Sequence, residues 1–337
     1  MKSTKSYLAL KAAASLLILL FAAEVGVRLS GIADFPIYSS DDQIGYCLRP
    51  NQSGKFLNRN HWFVNDRGMA TAAPWNPAGH RNILILGNSI VYGGNPYDQK
   101  DKLAPTMQRE LAAGDILWPI AAGGWTNVNE VAYLERNPDV VQSANFFVWE
   151  YMVGGLGGLA RWHNEYGFPR THPLWATGFV CRRYVLPQFI NIDMNELPPT
   201  GAPMASNSQR FEAAIGKLNT AIGSTTPGIL FLFPGEGQFL AARRGEEWLP
   251  ERAEVERIAR RYGLKLVDVS RSPEWHEGLY RDGTHPTVEG NKVLARILTS
   301  AIKQVLGCEK GNPVKRPAED IYLPLPKNAT EVLPCAA

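Results

Sequence analysis

Apolar positions follow three different patterns along this chain. From Tyr7 to Ala23 they are nearly continuous, seventeen residues with Lys11 as the only charge, and Lys2 and Lys5 precede them. A basic flank followed by an apolar helix is an export signal. The small-residue pattern of a cleavage site fails at Phe21-Ala22-Ala23, and Gly31-Ile32-Ala33, which fits it, lies ten residues downstream of the apolar run. An uncleaved anchor over residues 1–30 is therefore expected, with Lys11 snorkelling to the interface. The positive-inside rule then places everything from Glu24 onward on the periplasmic side of a bacterial inner membrane. The competing reading is an amphipathic or buried helix of a soluble protein.

Residues 31–80 hold many turn formers and no long apolar run, which predicts a membrane-proximal lead-in with short strands. From residue 82 the pattern alternates between short, wholly apolar runs and helical spacing. Ile83 to Leu86, Ile116 to Ile120, Asn145 to Tyr151, Ile229 to Phe233 and Leu264 to Val269 read as buried parallel strands. Helices are expected over Lys102 to Ala113, Asn127 to Arg136, Gln209 to Ile222, a segment presenting Leu249, Val255, Ile258, Ala259 and Tyr262, and a last one carrying Val293, Leu294, Ile297, Leu298, Ile302, Val305 and Leu306. Five such strands need helices on both faces, so the fold class is α/β, a three-layer α/β/α sandwich around a five-stranded parallel sheet. The domain spans residues 81–308 with an insertion at 152–206, and a tail over 309–337 with five prolines follows.

Composition narrows the function classes. The 337 residues are 45% hydrophobic, enough for a sizeable core, and 35 basic against 32 acidic residues leave a net charge of +3. That charge is no footprint for nucleic acid, which is excluded as a partner. Cys47, Cys181, Cys308 and Cys335 are too few and too scattered for a metal centre, and no cofactor is implied. In an oxidising compartment a Cys308–Cys335 disulfide closing the tail is one of the three pairings that four cysteines permit, with free thiols as the equal alternative.

Two short strings carry the chemistry. The first strand runs into Gly87-Asn88-Ser89, which presents a hydroxyl where the chain leaves the top of the sheet and aims the Ser89 N–H toward whatever that hydroxyl attacks. Asp282-Gly283-Thr284-His285-Pro286 lies between the last strand and the last helix. Its spacing lets one loop present a carboxylate and an imidazole, with Asp282 holding Nδ1 of His285 while Nε2 takes the Ser89 proton. The bland alternatives are a turn at Ser89, and Asp282 or Thr284 capping the helix with His285 on the surface.

On these two blocks the chain resembles the SGNH, or GDSL-like, hydrolases and acyltransferases over about residues 82–306. The resemblance implies serine esterase chemistry and acyl-carbohydrate substrates, with Ser89, Asp282 and His285 catalytic. It also implies an oxyanion hole formed by the N–H of Ser89 with that of Gly123 or Gly124, in the turn Ala121-Ala122-Gly123-Gly124-Trp125. The family's asparagine after the third strand is missing; Trp149-Glu150-Tyr151 stands there, and because an ionised Glu150 would repel an oxyanion, either it is held protonated, or it faces elsewhere, or the hole has two backbone donors. In this respect, and in its lead-in, the chain is similar to membrane-anchored proteins of polysaccharide O-acetylation. Trp125, Glu150, Trp162 and Tyr166 are expected to contact substrate, the aromatics by stacking on sugar faces, with a core for the insertion itself as the other use of those rings. The anchor points to an envelope or exported glycan, beside an integral membrane acyl donor. The rival from another class is a non-catalytic envelope glycan-binding or assembly protein.

Overall fold

The computed structural model describes residues 2–190, 204–223 and 228–307, excepting the side chains of residues 2–6 and 9. Cys308, Cys335, the proline-rich tail and part of the insertion lie outside the described residues.

Helix α1 (Lys2–Leu29) leads the chain, and its stretch Leu10–Leu29, of mean hydropathy 2.0 and with no fully buried residue, is long and apolar enough to cross a membrane. Two antiparallel hairpins follow, β1 (Tyr38–Asp41) with β2 (Gly45–Leu48) and β3 (Gln52–Phe56) with β4 (Asn60–Val64). The doubly covered domain begins at β5 (Arg81–Gly87) and α2 (Ser89–Tyr92), then α3 (Leu103–Gln108), β6 (Asp115–Ala121), α4 (Asn127–Arg136), α5 (Pro138–Gln142) and β7 (Phe146–Tyr151). The insertion contributes α6 (Ala176–Val180), and the domain resumes with α7 (Met204–Ile222), β8 (Ile229–Leu232), α8 (Glu236–Arg243), α9 (Arg252–Arg261), β9 (Lys265–Asp268) and α10 (Val288–Leu306).

The five-stranded parallel sheet has the order β6-β5-β7-β8-β9. All six residues of β7 and the four of β8 are buried, as strands covered on both faces must be. Helices α2, α3 and α10 pack together on one side, while α4, α5 and α7 pack on the other. The chain moves outward from β5 to β6 and then returns across β5 to β7. That reversal opens a crevice at the carboxyl ends of β5, β6 and β7, which is where ligands bind in open α/β sheets.

The five strands and the three-layer architecture are as the hydrophobic pattern predicts, but two details differ. The helix expected from Lys102 to Ala113 ends at Gln108, because the Gln108 amide side chain binds the backbone of β6, donating to Asp115 O at 2.8 Å and accepting from Leu117 N at 2.7 Å. The chain must turn back at that point to stay within reach of the strand. Helices α2, α5, α6 and α8 were not foreseen, being too short for a helical period to register. The lead-in carries short strands, as expected, and is bound into the domain. Buried Asn129 at the start of α4 donates to Ile44 O and Ala160 O, both at 2.7 Å, and accepts from Ala160 N, so one side chain joins lead-in, domain and insertion.

Asn129→Ala would strand those buried backbone groups. We expect a loss on the order of 3 kcal/mol, read as a lower urea midpoint at unchanged slope, since each orphaned group costs about 1–3 kcal/mol.

Candidate active site

Ser89 stands at the first position of α2, directly above the end of β5. Asn88 caps the helix by accepting the Ile90 N–H at 3.0 Å, and Gly93 ends it after four residues in a left-handed conformation. The Ser89 N–H, in the first turn, has no intrahelical acceptor. His285 Nε2 lies 2.9 Å from Ser89 Oγ across 196 residues of sequence. His285 Nδ1 is 2.8 Å from Asp282 Oδ1, which also accepts the His285 backbone N–H at 2.9 Å. Serine, imidazole and carboxylate therefore form one continuous relay.

The loop that carries the acid and base is held from three directions. Tyr280 donates its hydroxyl to Pro234 O at 2.8 Å, the Glu236 N–H donates to Gly283 O at 2.8 Å, and the Tyr97 hydroxyl donates to Pro286 O. Gly283 has φ +77°, a conformation that suits glycine and lets Asp282 turn back onto His285. Helix α10 is capped by Thr287, which accepts from Gly290 N at 3.0 Å, so neither Asp282 nor Thr284 is spent as a cap. Arg281 was not singled out in the sequence. Its guanidinium donates to Asp282 Oδ2 at 2.7 Å while stacking over Tyr97. Burial alone would raise the Asp282 pKa, but the His285 N–H, Arg281 and the His285 ring together hold it well below the usual carboxylate range. Asp282 is thus an anion that keeps the His285 Nδ1–H in place.

The turn Gly123-Gly124 follows β6, the strand beside β5. Gly87 pairs with Ala121 in the sheet, so Ser89 and Gly123 sit two residues beyond the same pair on neighbouring strands. The Tyr46 hydroxyl fixes the turn by donating to Gly123 O at 2.7 Å, and Gly124 has φ +72°. Tyr38, Tyr46 and Phe168 pack around it, which joins the first hairpin and the insertion to the site.

Glu150 is 1% exposed, so it does not face open solvent. Its Oε2 accepts the Asn88 N–H at 3.0 Å and lies so close to the backbone of Gly87 that a Cβ there would come within 2.2 Å of it. Burial pushes its pKa up to about 8 against the lowering effect of the Asn88 N–H. Glu130 of α4, which accepts from the Trp149 indole and from Asn127 Nδ2, is also pushed well above its ordinary value, by burial and by Glu150. A cavity of about 60 Å³ opens beside this pair, lined by Asn88, Asn127, Glu130, Glu150 and Gly155 among others. Nothing in the sequence pattern set Glu130 apart from an ordinary helix-surface glutamate.

The aromatics expected to meet substrate are engaged within the protein. Trp125 is 5% exposed and donates its indole N–H to Tyr46 O at 2.7 Å. Trp162 donates to Phe168 O and has the Arg170 guanidinium over its ring at 3.5 Å, while Tyr166 stacks on Phe179 and is covered by Arg182 at 4.1 Å. Among the described residues no group of three or more His, Cys, Asp or Glu side chains is placed to hold a metal ion.

The chain is a three-layer α/β/α sandwich on a five-stranded parallel sheet, with a serine after β5, the second strand of that sheet, and an Asp-x-x-His loop before its last helix, which is consistent with the SGNH-like fold that its sequence resembles. Among solved structures it is similar to a lipase/acylhydrolase from Enterococcus faecalis (16% identity, TM-score 0.39, 66% of this chain and 96% of that one). It is also similar to a two-domain esterase active on acetylated mannans (16%, TM-score 0.41, 71% and 53%) and to a catalytic mutant of an acetylxylan esterase from Geobacillus stearothermophilus (14%, TM-score 0.39, 69% and 97%). No protein-family profile and no curated protein matches the chain.

A carboxyl whose folded pKa is raised contributes stability that is fully present below its unfolded value of 4.5 and is lost as pH rises toward about 8. Glu150→Gln removes that slope. Urea unfolding at pH 6 and pH 9 should show the variant gaining on the wild type as pH rises, and parallel curves would contradict a buried neutral Glu150.

Proposed function

We propose that this protein is a serine-dependent ester hydrolase of SGNH type that works through an acyl-enzyme. The observation that carries the reading is the Ser89–His285–Asp282 relay, with both contacts inside hydrogen-bonding distance. Ser89 Oγ attacks the acyl carbon while His285 Nε2 takes its proton, and the carbonyl oxygen becomes an oxyanion. The Ser89 N–H and the N–H of Gly123 or Gly124 donate to that oxyanion. As the intermediate collapses, His285 returns the proton to the leaving alcohol oxygen, and the acyl group remains on Ser89. Water then attacks with His285 as base, releasing the acid and free serine. A sugar hydroxyl entering in place of water gives O-acyl transfer by the same steps.

Glu150 stands where a third donor would be expected. Held neutral, it adds no negative charge beneath the nucleophile turn, so two backbone donors can act unopposed. We assign the acyl group as short, acetyl above all, as the resemblance to enzymes of acyl-carbohydrates implies. The ester is that of an envelope or exported carbohydrate, in keeping with α1 read as a membrane anchor.

With p-nitrophenyl acetate, intact mass should show an adduct of about 42 Da on the wild type and none on Ser89→Ala. Asp282→Asn should lower kcat on the order of 10³–10⁴-fold with little change in KM, because the imidazole loses its orientation. A folded wild-type protein with no Ser89-dependent turnover would sink the reading. Turnover that rises with added polysaccharide acceptor would select transfer over hydrolysis.

A further inference from the structure

The last turns of α1 belong to the folded domain. Glu24 accepts from Ala176 N at 2.9 Å, Thr177 N at 2.8 Å and the Thr177 hydroxyl at 2.9 Å, at the start of α6. Arg28 donates to Leu174 O at 2.7 Å and to Pro173 O at 3.2 Å. The segment around α6 is therefore fixed against the domain end of the apolar helix.

That segment is apolar on two faces. From Ala176 the chain stays helical through Gln188, continuing α6 with a π turn and a 3₁₀ turn. One face, through Phe179, packs on Phe35 and Ile37. The other faces outward with Leu174 98% exposed, Phe189 80% and Trp175 60%, joined by Val185, Leu186 and Ile190. A helix whose outward face borders water would carry charges there, and contiguous exposed apolar surface marks an interaction site. The cations present are Arg182, held over Tyr166, and Arg183, beside Phe179 and Tyr184.

Helix length points to the occupant. The apolar stretch Leu10–Leu29 is 20 residues long, about 30 Å as a helix, which matches a hydrocarbon core of about 30 Å. Glu24 and Arg28 lie in its last turns, so the segment they bind is held at the lipid boundary. We propose that residues 174–190 form a second membrane contact, lying in the bilayer interface with Leu174, Trp175, Phe189 and Ile190 toward the acyl chains and the arginines toward anionic headgroups. The contact holds the domain at a fixed height and orientation. The insertion runs back from it through Phe168 to Tyr38 and the Gly123-Gly124 turn, so one packed path joins the contact to the candidate site.

The proposal rests on reading α1 as a membrane span, and the test separates the two. The full chain is reconstituted in phosphatidylethanolamine/phosphatidylglycerol vesicles containing a phospholipid with a photoactivatable acyl chain, and cross-linked peptides are identified by mass spectrometry. Adducts on both α1 and residues 174–190 are expected. Leu174→Asp with Phe189→Asp should cut the second set at least about tenfold while leaving the α1 adducts unchanged. Adducts on α1 alone overturn the second contact and leave the anchor standing, and a patch shielded by another protein or a second copy would give that result. Absence of adducts on α1 overturns the anchor reading and this proposal with it.

Discussion

A carboxyl group buried against a glycine sets the level of everything at the top of this sheet. Glu150 lies one residue past the Leu86–Trp149 pair of β5 and β7, with Oε2 against the Gly87 backbone and bonded to the Asn88 N–H. The contact ties the nucleophile turn to the neighbouring strand one residue before Ser89. A charged group there would pay a heavy desolvation penalty, and the protein meets this by keeping the group neutral. Gly87 is required because any side chain would occupy the space of the carboxyl.

The acid–base loop depends on a different kind of support. Asp282 and His285 sit on a short exposed loop, and what makes the relay continuous is the set of contacts from Tyr97, Tyr280 and Glu236 together with Arg281 on the far carboxylate oxygen. These groups come from the segment after α2, from the loop itself and from α8. The nucleophile and the base, 196 residues apart, meet because β5 and the start of α10 end at the same edge of one sheet. The insertion and the first hairpin add a rigid wall at the Gly123-Gly124 turn, and their aromatic rings are consumed in building it.

Much of this was legible in the chain before folding. Period and run length determined the five strands, the longer helices and the apolar α1, because covering a sheet on both faces forces uninterrupted apolar runs on any sequence that adopts it. The Gly-Asn-Ser and Asp-x-x-His strings were legible because each is local: a turn after a strand and a three-residue spacing fix their geometry within a few residues.

What only the tertiary structure decided is non-local. Glu150 reads along the chain as a charge at the wrong place for an oxyanion hole, and it becomes a neutral buried acid only when Asn88, Gly87 and Glu130 close over it. Trp125, Trp162 and Tyr166 read as free stacking surfaces until the fold supplies Tyr46, Arg170 and Arg182 to cover or bind them. Glu24, the one acid at the edge of the apolar helix, pairs locally with Arg28 and gains its other partners, Ala176 and Thr177, from more than 150 positions away. The chain itself determined which segments would be buried and where the reactive groups stand. Their protonation and partners depend on burial and on contacts between distant segments, which exist only once the layers have assembled.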